Sequence, residues 1–120
     1  MCGFAGFLDG NLNSAYGEVV LEQMGEGIAH RGPDDSGVWL EHKFGLGLIH
    51  KRLSILDLST DGRQPMHSHC GRFVIAYNGE IYNYKNLRSE LKKKGRKFSS
   101  STDTEVLLAA IEEWGLEECL

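Results

Sequence analysis

An α+β fold is predicted for this chain, from three observations. Short apolar runs of strand length recur through it, and three longer stretches carry apolar residues at helical spacing. Breaks rich in Gly, Asn and Asp separate them. A length of 120 residues, 41% hydrophobic and 25% charged, fits one ordinary globular domain or a piece of one.

Cys2 to Leu8 is a short apolar run containing Gly3 and Gly6 and ending at Asp9-Gly10. It reads as a buried strand closely approached by other backbone. Ser14 is placed to cap a helix running to about Ala29, with Tyr16, Val19, Val20 and Met24 on its apolar face and Gly25 and Gly27 weakening its end. His30 to Gly37 is polar and turn-rich, so it reads as a loop. Val38 to Leu40 and Phe44 to Ile49 read as a hairpin across Glu41-His42-Lys43.

Leu53 to Leu58 is mostly apolar and runs into a loop from Ser59 to Gly71. Phe73 to Tyr77 is a continuous apolar run, as expected of a central strand buried on both faces. Leu87 and Leu91 lie one turn apart on a helix from about Tyr84 to Lys94, closed by Gly95. Thr102 and Glu105 have capping-box spacing at the head of the last helix. Val106, Leu107, Ala110, Ile111 and Trp114 form its apolar face, and Gly115 ends it. The chain stops at Glu117-Glu118-Cys119-Leu120 with no polar tail and reads as cut.

A net charge of −4 argues against general affinity for nucleic acid or an anionic membrane, which favour basic surfaces. The basic run Lys92, Lys93, Lys94, Arg96 and Lys97 reads as a solvated helix end. No apolar stretch reaches membrane-spanning length, and the first residues do not make a signal peptide, so a cytoplasmic location is expected. Cys2, Cys70 and Cys119 are odd in number and widely spaced, unlike a disulfide framework. His67, His69 and Cys70 lack a second ligand pair at zinc spacing, so they read as a polar loop and no metal site is expected.

Cys2 follows the initiator Met1, which is usually removed before so small a residue. Removal would leave a thiol and a free α-amine on one residue. Unperturbed, the two kinds of group titrate at about 8.5 and about 7.7–8.0, so the amine can take the thiol proton near neutrality. That is a nucleophile carrying its own base. Position alone favours the other reading, a small buried hydrophobe at the start of a strand.

Four other groups matter once Cys2 is considered a nucleophile. Asn78-Gly79 is a strong hairpin-turn signal, yet an Asn amide and the next backbone N–H can also hold an oxyanion. Arg52 reads as a surface residue at a strand end, or as a planar fork for a carboxylate. Asp103 suits the first turn of a helix in any case, and Asp103 or Glu80 could alternatively hold an ammonium group. Separately each has an ordinary structural reading. Together they could bind both ends of an amino acid and cleave an acyl bond in its side chain.

The stretches MCGFAGFLDG (1–10), HRGPDDSG (30–37), RLSILDLSTDGRQPM (52–66), YNGEIYNYKNLRSEL (77–91) and STDTEVLLAAIEEWG (101–115) occur in this order along nearly the whole chain. In them the chain resembles the N-terminal glutaminase domain of the glutamine-hydrolysing asparagine synthetases, class II glutamine amidotransferases of the N-terminal-nucleophile hydrolase group. The resemblance implies a four-layer αββα sandwich, present here in part and truncated on its C-terminal side. It implies that residues 1–120 are the N-terminal part of the glutaminase domain and that the synthetase domain is absent.

The same resemblance makes Cys2 the nucleophile once Met1 is removed, with Asn78 and Gly79 as the oxyanion hole. Arg52 would bind the glutamine α-carboxylate, the backbone around Leu53 and Ile55 would line the pocket, and Glu80 and Asp103 would hold the α-ammonium group. It assigns no chemical step to the HRGPDDSG loop. Glutamine and the synthetase domain are the implied partners, with a homodimer of the full-length enzyme a further one. ATP and Mg²⁺ are implied for the synthetase domain, and no P-loop sequence supports them within these residues. Two alternatives stand beside this reading: a related amidotransferase that aminates a sugar or another carboxylate, and a catalytically silent binding module.

Overall fold

The computed structural model describes residues 2–11, 14–53 and 60–119. They are α+β, as expected, and divide into two compact units. The first comprises Met1–Ile55, Arg63–Pro65 and Ala76–Asn78. The second comprises Leu56–Gly62, Met66–Ile75 and Gly79–Leu120.

The first unit is built around an antiparallel sheet of β1 (Gly3–Leu8), β2 (Asp35–Glu41) and β3 (Leu46–Arg52), with β3 in the middle. The register pairs Gly3 with Lys51 and Asp35 with Arg52. α1 (Ser14–Gly27) covers one face of this sheet. Side chains alternate along a strand, so Ile49 and Lys51 face α1 while Leu48, His50 and Arg52 face away.

The buried face of α1 differs from the expected one. Tyr16 and Val19 are exposed, and Gly17, Leu21 and Gly25 form the contact. A Cβ at Gly25 would stand 2.3 Å from Ile49 Cδ1, and one at Gly17 would lie 3.3 Å from Leu40 and Phe7. A glycine inside a helix costs about 1 kcal/mol against alanine. Here it lets the helix axis approach the sheet closely enough to bury Leu21 completely.

β2 begins at Asp35 rather than Val38, taking three residues from the expected loop. Gly37 allows this, because a Cβ there would stand 2.0 Å from the Gln64 carbonyl oxygen. A 3₁₀ turn, Ala29–Arg31, precedes it. The hairpin turn spans residues 42–45, later than expected, with Phe44 exposed and Gly45 at φ +59°. That conformation favours glycine.

In the second unit, β4 (Met66–His67) and β5 (Val74–Ile75) form a short antiparallel hairpin. The expected central strand over Phe73 to Tyr77 is thus only two residues long, and these residues are half-buried rather than enclosed. α2 (Tyr84–Lys93) and α3 (Asp103–Trp114) close around Leu91, Val106 and Ala110. Gly95 and Gly115, both at φ +89°, follow them, and a short α4 (Leu116–Cys119) comes last. Leu108 is more deeply buried than the expected Leu107.

The basic run is not wholly solvated. Arg96 is half-buried, bonded to Glu112 and, at 3.2 Å, to Glu113 on α3. Among the described residues no helix is long and apolar enough to cross a membrane, and no three His, Cys, Asp or Glu side chains cluster as metal ligands.

Candidate active site

Strand register determines what surrounds Cys2. Since Gly3 lies opposite Lys51 in an antiparallel pair, continuing the ladder by one residue puts Cys2 beside the end of β3. There the Leu53 main-chain N–H donates to Cys2 Sγ across 3.3 Å, and the thiol lies 3.6 Å from the Leu53 carbonyl oxygen. An N–H aimed at sulfur has the polarity suited to holding negative charge on it. The role expected of Leu53 was lining; its observed contact is with the sulfur itself.

Arg31 reaches the same residue from the 3₁₀ turn, donating from Nε to the Cys2 carbonyl oxygen at 3.3 Å. Its stem lies against Gly3, where a Cβ would come within 3.1 Å of Arg31 Cδ. Cys2 is half-buried, its sulfur held by Leu53 and its main chain by Arg31.

Arg52 ends β3 and is buried, contrary to the ordinary expectation for an arginine at a strand end. Asp35, its partner in the register, is engaged elsewhere: Oδ2 accepts from Arg63 Nε at 2.9 Å and Oδ1 from the Ser36 N–H at 2.8 Å. Burial pushes the Asp35 carboxyl up, but these hydrogen bonds and the Arg63 and Arg52 charges outweigh it and hold it below the ordinary 3.8.

Asn78 is exposed and lies outside any hairpin: among the described residues no strand follows it, and no non-glycine residue has a positive φ. A type I′ turn at Asn-Gly needs positive φ at both residues, so the turn reading fails. Tyr77, just before Asn78, is held twice. His50 Nε2 lies 3.3 Å from its carbonyl oxygen, and its N–H donates to Gln64 Oε1 at 2.6 Å.

The second unit contains Gly79, Glu80 and Asp103. Asp103 is buried in the first turn of α3, where Oδ2 accepts from the Ile81 N–H at 2.9 Å. The segment carrying Gly79 and Glu80, both exposed, is thereby tied to the head of that helix.

The α3 cap is more extensive than a simple capping box. Thr102 Oγ1 accepts from the Glu105 N–H, but the Glu105 carboxylate returns to the N–H groups of Ser99 and Ser100 at 2.8 and 2.7 Å. Burial raises the Glu105 carboxyl, and these bonds with the serine hydroxyls bring it below its ordinary 4.5.

Thus Cys2 is in direct contact with Leu53 and with Arg31, and Asp103 is bonded beside Glu80. Ile55 lies outside the described residues. Three residues with site contacts were not singled out from sequence: Arg31, His50 and Gln64. Arg31 lies in the HRGPDDSG loop and Gln64 within the 52–66 stretch, so the matched segments were the available signal for these two; His50, two residues before Arg52, falls outside every matched segment.

A sequence model of the glutamine amidotransferase domain matches residues 1–120. Asparagine synthetase [glutamine-hydrolyzing] 3 of Bacillus subtilis is 42% identical over 100% of this chain and 19% of its own length. Asparagine synthetase [glutamine-hydrolyzing] 1 of the same organism is 43% identical over 91% of this chain and 17% of its own. Amidase chry2 of Gibberella zeae is 38% identical over 97% and 18% respectively. The chain spans about a fifth of the length of these curated relatives. With the family model matched over every residue, the chain belongs to the glutamine amidotransferase domain family.

Proposed function

We propose that this chain carries the glutaminase half-reaction of a glutamine-hydrolysing asparagine synthetase. The observation that carries the proposal is the Cys2 sulfur, half-buried and bonded by the Leu53 N–H at the end of the strand that bears Arg52. After loss of Met1, the free amine of Cys2 takes the thiol proton and the thiolate attacks the side-chain carbonyl carbon of glutamine. Asn78 and the Gly79 N–H stabilise the tetrahedral oxyanion. Ammonia leaves with the proton, and water cleaves the glutamyl thioester to give glutamate.

In this reading Arg52 binds the substrate α-carboxylate, while Glu80 and Asp103 bind its ammonium group. Leu53 and Ile55 line the pocket with backbone. The ammonia passes to a synthetase domain, where ATP and Mg²⁺ activate aspartate; that chemistry belongs to residues other than these. A cytoplasmic location and a homodimer of the full-length enzyme remain part of the proposal.

A second reading is a related amidotransferase that passes ammonia to a sugar or another carboxylate. Amidase chry2, a relative not named as an asparagine synthetase, is 38% identical over 97% of this chain, so similarity of this extent does not by itself fix the acceptor.

The test uses the natural protein that carries this chain, checked by mass for loss of Met1. Cys70 is exposed, so a reagent seeking any accessible thiol would take it. A glutamine-like alkylating analogue should instead label Cys2, with glutamine protecting. Label on Cys70 or Cys119 would overturn the nucleophile assignment. With amide-labelled glutamine, aspartate, ATP and Mg²⁺, labelled asparagine supports the synthetase reading, and labelled free ammonia alone supports another acceptor.

A further inference from the structure

Tyr77 joins the sheet unit to the residue proposed to hold the oxyanion, and both peptide planes beside its Cα are pinned. Its N–H donates to Gln64 Oε1 at 2.6 Å, which fixes the plane shared with Ala76. Its carbonyl oxygen lies 3.3 Å from His50 Nε2, which fixes the plane shared with Asn78. A trans peptide leaves the chain two soft dihedrals per residue, so fixing both planes fixes the direction in which Asn78 leaves Tyr77. Asn78 is exposed, so burial of its own side chain does not place it.

The support itself is rigid. His50 is completely buried in the middle strand of the sheet, and Gln64 is buried where Gly37 admits its backbone. A carbonyl only accepts, so the hydrogen must sit on His50 Nε2. Nδ1 is buried and has no partner among the described residues. Among the described residues, the hydrogen bond made by this ring goes to the Tyr77 carbonyl. A buried polar atom left unsatisfied is destabilising, and packing alone would be served as well by an apolar side chain.

We propose that His50 and Gln64 are positioning residues for the oxyanion donor, holding the Tyr77 main chain so that Asn78 is presented in one orientation. The proposal rests on the glutaminase reading above. It separates two functions along β3: Arg52 belongs to substrate binding, and His50, two residues earlier on the same face, acts on turnover through Tyr77.

The experiment measures glutamine hydrolysis by the natural protein and its His50→Leu and His50→Gln variants, with melting curves as the folding control. His50→Leu removes the donor; His50→Gln restores an N–H near the position of Nε2. Misplacing a catalytic group by an ångström can cost about 10²-fold. We expect His50→Leu to lower kcat by roughly 10- to 100-fold with KM changed less than about threefold, and His50→Gln to recover most of that loss. Unchanged kcat in folded His50→Leu, or equal loss in the two variants, overturns the proposal. Should His50→Leu fail to fold, Gln64→Leu against Gln64→Glu makes the same comparison, since Glu keeps the acceptor for the Tyr77 N–H. An unsubstituted protein that releases no ammonia from glutamine would refute the glutaminase reading instead, a failure distinct from that of His50.

Discussion

Arg31 donates from Nε to the Cys2 carbonyl oxygen across 3.3 Å, holding the main chain of the residue whose sulfur is bonded by Leu53. The contact needs residue 3 to be small, because the Arg31 stem occupies the space a side chain would fill. A loop with no evident chemical role in sequence thus anchors the proposed nucleophile. The HRGPDDSG segment gains a physical purpose from this contact.

Arg31→Ala should lower kcat/KM for glutamine hydrolysis by about tenfold. The loss of one hydrogen bond from a charged donor is worth about 1.5 kcal/mol, close to a factor of ten. Arg31→Lys should recover little, since it lacks a donor at the Nε position. Gly3→Val should act in the same direction by displacing the stem. Steady-state kinetics on folded variants decides this, and unchanged kcat/KM in Arg31→Ala would refute it.

Thr102→Ala should destabilise the second unit and raise KM while leaving kcat nearly unchanged. The N-cap acceptor for Glu105 is worth about 1 kcal/mol, and the first turn it secures carries Asp103. Loosening that turn also loosens the bond to the Ile81 N–H. Thr102→Ser keeps the acceptor and should behave like the parent. A drop in kcat at constant KM would place Asp103 in the chemical step rather than in binding.

Acid should destabilise the first unit before most carboxylates titrate. Burial pushes His50 below its ordinary 6.5; the Tyr77 bond and Asp35 oppose that shift and the Arg52 charge assists it. Below pH 6.5 the unfolded chain takes up a proton that the folded ring resists, so stability falls as pH falls. Glu105 and Glu112 are held below 4.5 and act only at lower pH. The melting temperature should therefore decline as pH falls below 6.5, and the decline should be smaller in His50→Gln, whose side chain does not titrate. Equal slopes in the two proteins would contradict a neutral His50 in the folded state.

Helices α2 and α3 were legible because their signals are local. Gly95 and Gly115 take φ +89° after the helix ends, and Thr102 meets the Glu105 N–H three residues on. α1 was located correctly, but its buried face was misread. An apolar-moment argument looks for large side chains, whereas Gly17 and Gly25 serve by having none. The short β5 was overestimated because an apolar run shows burial propensity and says nothing of how many residues find a pairing partner.

Sequence by itself determined the α+β class, the helix ends, the β2–β3 hairpin and, through its ordered segments, the family and the expected site residues. Tertiary structure decided that Asn78-Gly79 is not a turn, that Arg52 is buried, and what holds Cys2 and Asp103 in place. The physical reason is separation along the chain. Leu53 meets Cys2 across 51 positions, Arg31 meets Cys2 across 29, and His50 meets Tyr77 across 27. The Leu53–Cys2 bond forms only once β1 and β3 have paired in one register, and a slip of one residue would turn His50 and Arg52 to the opposite face.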